Sequence, residues 1–344
     1  MIDRVYLIGA GASVPYGLPT LKTLTWDLSQ SMSPEDRTTF STAVYECFGT
    51  ALRKNGAIPD FEELLNRLDP RALLYLEDVG LGGPDSFRRK AAELALSGLR
   101  TFIRDACARV SENEGPFDFL VRSLSEKNLL VSFNWDVLLE CALLRAGRKF
   151  AYLPSGHAED AVVLLKPHGS INWFALLDRE MLMVAGDSNL DVVGHDLSNY
   201  MLYVKEPLSP ISFGSSSPIV QHVLSRVPAI VPPMASKLLS VGGVPRDGFV
   251  EAGHARTMKA TWRHFIEALE QASELVAIGY SLPGTDAASI EALKRFGASA
   301  NAQRPKRVLL VEPQDAVAER YRSLLGVDTK IVCRDFRKFD PGQV

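Results

Sequence analysis

The stretch Val5-Tyr6-Leu7-Ile8-Gly9-Ala10-Gly11-Ala12-Ser13 decides the fold. Its four leading apolar residues lack polar alternation, which is typical of a strand buried on both faces of a parallel sheet. Two glycines and then a helix-forming segment follow, and backbone N–H groups in such a turn can hold a diphosphate. We expect Gly11 to leave the room that a phosphate needs. A tight turn without a ligand is the alternative interpretation.

Four other apolar runs extend this pattern along the chain: Leu129–Phe133, Val162–Leu165, Leu275–Ile278 and Val308–Val311. Apolar residues also recur at helical spacing in four segments: Phe87–Val110, Phe117–Leu124, Thr257–Ala272 and Ala316–Leu325. Strands that alternate with helices form crossover units. The sequence therefore predicts an α/β fold, a Rossmann-like open parallel sheet with helices on both faces.

Two segments do not follow the strand and helix alternation. Residues 31–115 have an almost wholly helical pattern, whereas residues 176–256 are mixed and contain a weak strand signal at Met201–Val204. We predict a single domain over residues 1–344. Its parts are a core at about 1–30, 116–175 and 257–344, a helical insertion at about 31–115 and a mixed insertion at about 176–256. The serine-rich tract Phe213–Pro218 is the best candidate for a mobile loop.

Composition excludes several classes of protein. The 344 residues include 38 Lys and Arg against 41 Asp and Glu, a net charge of −3, and no basic stripe is present. We therefore expect no direct nucleic-acid binding. The apolar start is too short for a signal peptide or a membrane span, so we interpret the protein as cytoplasmic. The four cysteines form no CxxC pair, and no metal site is expected.

Polar side chains follow two of the predicted strands. Asn134 and Asp136 come after Leu129–Phe133 and are two residues apart, so in extended backbone they share a face. They could bind ribose hydroxyls or a carboxamide, and a helix cap is the alternative. His168 comes after Val162–Leu165, between a proline and a glycine. A histidine in irregular backbone can act as a general base near neutral pH, although a lone histidine is more often structural.

Two further candidates follow the last two predicted strands. Ser281 could contact phosphate oxygens, and Glu312 could accept hydrogen bonds from ribose hydroxyls. The spacing around Ser281 misses the G-x-S-x-G nucleophile elbow by one residue, which disfavours acyl transfer. The third glycine of the G-x-G-x-x-G pattern is also missing, because position 14 is Val14, so ordinary dehydrogenase binding is disfavoured.

Taken in this order, the motifs resemble the sirtuin superfamily, specifically the bacterial silent-information-regulator-two-like proteins that degrade NAD rather than deacylate lysine. The resemblance spans most of the chain. The motifs are Gly9-Ala10-Gly11-Ala12-Ser13, Gly17-Leu18-Pro19, Phe133-Asn134-Trp135-Asp136, Pro167-His168-Gly169-Ser170-Ile171-Asn172-Trp173, Val231-Pro232-Pro233-Met234-Ala235-Ser236-Lys237 and Gly279-Tyr280-Ser281-Leu282-Pro283.

The resemblance implies a role for each candidate residue, with NAD as the substrate and no metal. It places seven residues at the diphosphate and adenosine half: Gly9, Ala10, Gly11, Ala12, Ser13, Ser281 and Glu312. Asn134 would hold the nicotinamide ribose, Asp136 would face the carboxamide, and His168 would be the general base. Cleavage of the nicotinamide bond builds positive charge on the ribose, so an oriented ribose and a nearby base are what catalysis requires.

Two departures from the deacylases favour water as the acceptor. The chain lacks the cysteine pairs of their zinc module, and Phe133 stands where they have a glutamine before Asn134. The resemblance therefore implies an NAD+ hydrolase that gives nicotinamide and ADP-ribose in antiphage defence. The alternatives are a non-catalytic module that binds NAD or ADP-ribose, and an ADP-ribosyl or deacyl transferase. A separate sensor or activator protein and a homo-oligomer are the expected partners, and no membrane contact is expected.

Overall fold

The computed structural model describes residues 2–53, 56, 58–68, 86–110, 113–152, 161–175, 190–192, 201–204, 251–284, 286–301 and 305–343. The predicted mobile loop Phe213–Pro218, the segment Val231–Lys237 and most of the predicted mixed insertion lie outside these residues. The division into a core and two insertions stays a prediction.

Ten strands lie within the described residues: β1 Arg4–Ile8, β2 Asn128–Ser132, β3 Phe150–Ala151, β4 Val162–Leu165, β5 Trp173–Ala175, β6 Leu190–Val192, β7 Met201–Val204, β8 Glu274–Ile278, β9 Arg307–Val311 and β10 Asp328–Cys333. The α-helices there are α1 Leu21–Ser31, α2 Pro34–Phe48, α3 Phe61–Arg67, α4 Ser86–Val110, α5 Pro116–Arg122, α6 Leu138–Arg145, α7 Glu251–Gln271, α8 Ala287–Ala298 and α9 Asp315–Leu325. All five predicted strands and all four predicted helices are present, with ends shifted by a few residues.

Seven strands form one open sheet in the order β10-β9-β8-β1-β2-β4-β3, and every neighbouring pair is parallel. The chain builds outward from β1 toward β2 and β4, and later returns to place β8 and β9 on the other side of β1. Such a reversal opens a crevice beyond the carboxyl ends of the two strands where it occurs, here β1 and β8. A separate antiparallel sheet has the order β5-β7-β6.

Both faces of the large sheet are covered by helices. Successive side chains of a strand point to opposite faces, and β1 shows this directly. Tyr6 and Ile8 join a core that contains residues of α1 to α6, whereas Val5 and Leu7 join a second core with residues of α7, α8 and α9. All four side chains are buried. The predicted class, a Rossmann-like parallel sheet with helices on both faces, is confirmed.

Two strands of the large sheet, β3 and β10, and two helices beside it, α6 and α8, were not predicted. In β10 the exposed Asp328 and Lys330 alternate with the buried Thr329 and the half-buried Ile331, as expected of an edge strand, so the strand does not form an apolar run. Helix α6 is apolar and buried on nearly all sides, so it lacks the amphipathic stripe that marks a surface helix. None of the helices in the described residues combines the length and the apolar composition that a membrane span requires.

Candidate functional site

The predicted site residues all follow carboxyl ends of strands in the same parallel sheet. Gly9 follows β1, Asn134 follows β2 and His168 follows β4. On the other side of β1, Ser281 follows β8 and Glu312 follows β9. Because neighbouring strands are parallel, their carboxyl ends meet at one edge of the sheet, and this edge is the candidate site.

The glycine turn after β1 packs directly against the turn after β8. The N–H of Gly9 donates to the carbonyl of Ile278 at 3.0 Å, and that of Gly11 to the carbonyl of Gly279 at 3.0 Å. A Cβ at Gly9 would lie 2.6 Å from the Gly279 oxygen, and one at Gly11 would lie 2.9 Å from the Gly279 Cα. The missing Cβ of Gly11 therefore makes room for the turn after β8, and contact of Gly11 with a phosphate stays a prediction. Both glycines are required by backbone packing between two turns.

Gly279 completes this contact from the opposite side. Its φ is +61°, in the left-handed region that favours glycine, and a Cβ there would lie 2.3 Å from the Ala12 nitrogen. Three residues later, Leu282 also has a positive φ of 53°, which is uncommon for a residue with a side chain. The connection from β8 to α8 is therefore held in a backbone path that costs conformational energy.

Ser13, Asn134 and Asp136 are brought together by hydrogen bonds. The Asn134 Nδ2 group donates to the Gly9 carbonyl at 3.0 Å and to Ser13 Oγ at 2.9 Å. Ser13 Oγ in turn donates to Asp136 Oδ2 at 2.7 Å. All three side chains are buried. The turn after β1 and the turn after β2 thus form one polar cluster.

Asp136 also contacts the start of α6, although the cap residue of that helix is Val137 and not, as in the alternative interpretation, Asp136. Its Oδ1 accepts a hydrogen bond from the N–H of Leu138, the first residue of α6, at 3.1 Å. One carboxylate oxygen therefore satisfies the start of a helix while the other faces Ser13. A carboxylate oxygen has two lone pairs, so both can accept a further bond.

His168 is buried at the carboxyl end of β4, with 3% of its side chain exposed. Its ring meets the Phe133 ring edge to face, with centroids 4.7 Å apart, and lies near Trp262. Its Nε2 lies 3.1 Å from Oδ2 of Asp286, a fully buried carboxylate at the start of α8. When His168 takes up a proton, the two groups become a buried ion pair.

Asp286 is the residue that the sequence analysis missed. It precedes a helix, and its Oδ1 accepts the N–H of Ser289, so its position in the sequence indicates only a helix cap. Its Oδ2 also accepts the hydroxyl of Tyr280 at 2.7 Å and that of Ser289. Burial raises the pKa of Tyr280, and the nearby Asp286 charge adds to the effect, so this hydroxyl remains a donor.

A buried lysine joins the turns after β2 and β4. The Lys166 Nζ donates to the Asp136 carbonyl at 2.6 Å, to Glu140 Oε1 at 2.8 Å and to Ser170 Oγ at 2.8 Å. Glu140 Oε1 also accepts the Tyr152 hydroxyl at 3.0 Å. Lys166 is completely buried, and all three ammonium hydrogens have acceptors. This network fixes the segment that presents His168 against the segment that presents Asp136.

Ser281 and Glu312 lie outside this connected cluster, on the β8 and β9 side. Ser281 is exposed, as a hydroxyl that meets a ligand from solvent would be. Glu312 is mostly buried and its Oε1 accepts the N–H of Gln314 at 3.2 Å. Burial raises the pKa of Glu312, while that hydrogen bond and the charge of Arg320 lower it in part.

The described residues contain no cluster of three or more histidine, cysteine or acidic side chains suited to a metal ion. A cavity of about 370 Å³ lies between α4 and the connection from α1 to α2, lined by residues such as Ser33, Gly98 and Arg109. None of the predicted site residues lines it. The arrangement at the sheet edge can orient a polar ligand and hold a proton on His168.

No protein-family model and no curated protein sequence matches the chain. Solved structures of Sir2 proteins are similar to most of it. A Sir2 complex with a p53 peptide and NAD+ has 13% identity and a TM-score of 0.34, and the alignment covers 94% of this chain and 92% of that one. A mutant Sir2 homologue in complex with ADP-ribose has 13% identity and a TM-score of 0.35, and the alignment covers 94% of this chain and 91% of that one. The fold assignment rests on the strand order and parallel register of this chain.

Proposed function

We propose that this protein is an NAD+ hydrolase that cleaves the bond between nicotinamide and ribose. The observation that carries the proposal is the gathering of Ser13, Asn134, Asp136 and His168, all buried, at one edge of a parallel sheet. The sirtuin-like motifs assign diphosphate binding to Ser13, ribose binding to Asn134, carboxamide binding to Asp136 and base catalysis to His168. Burial of four polar groups has a cost that an ordinary core would avoid.

The hydrogen bonds of the cluster restrict how NAD+ would be held. Both Nδ2 hydrogens of Asn134 are donated within the protein, to Gly9 and Ser13, so we assign Oδ1 to a ribose hydroxyl. We assign the remaining lone pairs of Asp136 to the carboxamide N–H. Ser281 would meet the diphosphate and Glu312 the adenosine ribose, together with the turn from Gly9 to Ser13.

The reaction needs one bond cleavage and one proton transfer. The bond between C1′ and the nicotinamide nitrogen breaks, and its electron pair neutralises the pyridinium ring as nicotinamide leaves. Positive charge develops on the ribose, and the oxygen of a water molecule bonds to C1′. His168 takes the proton of that water and later releases it to solvent. The products are nicotinamide, ADP-ribose and a proton.

The test is incubation of the purified full chain with NAD+ while nicotinamide and ADP-ribose are followed by chromatography. We expect release by the parent and a loss of about 10² or more in turnover for His168→Ala, the scale of general base catalysis. His264→Ala, which changes a histidine of α7 that is 27% exposed, is the matched control and should keep activity. Calorimetric NAD+ binding by His168→Ala should stay close to that of the parent.

The remaining outcomes separate the alternatives. Binding without turnover by the parent supports a regulatory module that holds NAD or ADP-ribose, the second candidate. Release of nicotinamide without free ADP-ribose, when a protein acceptor is present, favours a transferase. A parent protein that neither binds nor cleaves NAD+ contradicts the proposal.

The cellular role that we propose is antiphage defence by depletion of NAD, and its support is the motif resemblance. Bacteria that express the parent chain with its sensor or activator should lose NAD and restrict phage, and those with His168→Ala should do neither. The expected homo-oligomer is tested by light scattering of the purified chain. Retained restriction by His168→Ala would separate the defence role from NAD cleavage.

A further inference from the structure

We infer that Asp286 is a positioning residue that sets the orientation and the charge of His168. The inference rests on the proposed function for its catalytic consequence, but the pairing itself is a property of this chain. Asp286 lies at the start of α8, and His168 lies beyond β4 on the far side of β1 and β2. The contact therefore joins two halves of the sheet edge.

The pair is buried and close. His168 Nε2 and Asp286 Oδ2 are 3.1 Å apart, with 3% and 0% of the side chains exposed. At this depth a charge interaction is screened much less than at the surface. A protonated ring gains a counter-ion at this distance. The pairing suits a group that accepts a proton during the reaction.

The helix cap alone does not account for the surroundings of Asp286. Capping uses Oδ1, which accepts the N–H of Ser289 at 3.3 Å. The other oxygen, Oδ2, faces His168 and accepts the hydroxyls of Tyr280 and Ser289. Two hydroxyl donors on that oxygen fix its direction, which a cap does not require.

The aromatic rings hold the histidine against this carboxylate. Tyr280 stacks on Phe133, with centroids 4.6 Å apart and an angle of 18° between the rings. The Phe133 ring also meets the His168 ring edge to face. Phe133, Tyr280, Asp286 and His168 thus form a closed ring of contacts. Of the contacts of the His168 ring with residues that the structure describes, those with Phe133 and Trp262 bring no charge and that with Asp286 brings a carboxylate.

The decisive variant is Asp286→Asn, because asparagine keeps the size and the capping ability of aspartate and removes the charge. Nuclear magnetic resonance of the full chain labelled with ¹⁵N-histidine follows the His168 ring through a pH titration without NAD+, with His168→Ala assigning the signal. We expect His168 to titrate at least about one pH unit lower in Asp286→Asn, since an opposite charge at this distance favours the protonated ring. Ser289→Ala removes a hydroxyl but keeps the charge, and should change the titration less.

Turnover provides the second readout. In Asp286→Asn we expect turnover to fall at least about tenfold, while NAD+ affinity stays close to that of the parent. Activity increases with pH as His168 loses its proton, and we expect this increase to occur at lower pH in the variant. A residue with only a structural role would not move that pH profile. If His168 titrates at the same pH in Asp286→Asn as in the parent, the inference is wrong. A parent that does not cleave NAD+ contradicts the proposed function instead, and the shift in titration then still supports the pairing.

Discussion

The amino and carboxyl edges of the seven-stranded sheet place their charged side chains differently. At the amino edge, Arg4, Glu274 and Arg307 are the first residues of β1, β8 and β9 and lie in register. Glu274 forms ion pairs with both arginines, and the Arg307 side chain is 57% exposed. At the carboxyl edge, Lys166 pairs with Glu140 where both are essentially inaccessible to water.

The difference indicates which edge has been adapted to a ligand. At the amino edge Glu274 is buried, but Arg4 and Arg307 stay in partial contact with water, so these ion pairs cost less than a fully buried pair and contribute little. A buried ion pair is often no more stabilising than apolar side chains of the same size, so its presence is weak evidence for stability. At the carboxyl edge the Lys166 ammonium and the Asp136 carbonyl it contacts hold the turns that present the candidate site. We infer that the buried charges at the carboxyl edge hold the turns of the candidate site in position.

The largest expected effect follows from breaking the buried pair. Lys166→Met leaves the Glu140 carboxylate buried without its cation, and we expect the free energy of unfolding to fall by about 3–5 kcal/mol. Arg307→Met at the amino edge is the matched control. It should cost less than about 1 kcal/mol, because the side chain is mostly exposed and Glu274 keeps Arg4 as a partner. Urea unfolding monitored by circular dichroism measures both.

A double variant, Lys166→Met with Glu140→Met, sharpens this test. Replacement of both charges by apolar groups should recover much of the lost stability. Because the double variant also releases the turn that carries His168, NAD+ cleavage should stay low even where stability returns. Equal losses for Lys166→Met and Arg307→Met would show that the two edges do not differ in this way.

The second effect concerns the packed turns at the carboxyl edge. Gly279→Ala would place a Cβ 2.3 Å from the Ala12 nitrogen at a residue with φ +61°, so we expect a loss of about 2–4 kcal/mol. Gly326→Ala is the matched control, since its φ of +64° is similar but nothing lies within 4 Å of the added Cβ. It should cost about 1 kcal/mol, the strain of the left-handed conformation alone.

Thermal unfolding and NAD+ binding of both variants give the comparison. Because the contact of Gly279 with Gly11 and Ala12 holds the turn after β1, Gly279→Ala should also weaken NAD+ binding, whereas Gly326→Ala should not. If Gly279→Ala and Gly326→Ala are equally stable, the turns after β1 and β8 can move apart without a loss of folding free energy. The close packing at this edge would then have no role in positioning the site.

The large sheet was predictable where the physical signal is local. Five strands are buried on both faces, so each appears as an apolar run, and the polar residues that follow them mark the carboxyl edge. Asn134, Asp136 and His168 were found in this way. The edge strand β10 was missed because its first three residues are polar, so it does not begin as an apolar run.

Contacts between distant segments could not be predicted from the pattern. Asp286 looks like a helix cap, and only the fold brings its second oxygen to His168. Gly9 and Gly11 make room for atoms of Gly279 and Tyr280, a contact that the sequence around the first turn does not indicate. Lys166 lies in a polar turn whose burial depends on the packing of β2 against β4. Each case depends on tertiary packing, which a local pattern does not contain.

The smallest effect compares two mostly buried carboxylates, Glu312 at the carboxyl edge and Glu274 at the amino edge. Burial raises the pKa of Glu312 in the folded protein above its value in the unfolded chain. The protonated form of Glu312 therefore contributes fully to folding stability at low pH, and this contribution is lost as the pH rises through the folded pKa. Glu312→Gln should therefore be more stable than the parent at pH 7, by less than the losses above, and equal to it near pH 4. Glu274→Gln should be less stable at pH 7, because Arg4 and Arg307 would lose their shared counter-ion. Thermal unfolding between pH 4 and pH 8 measures both, and a change of the same sign would remove the distinction between the edges.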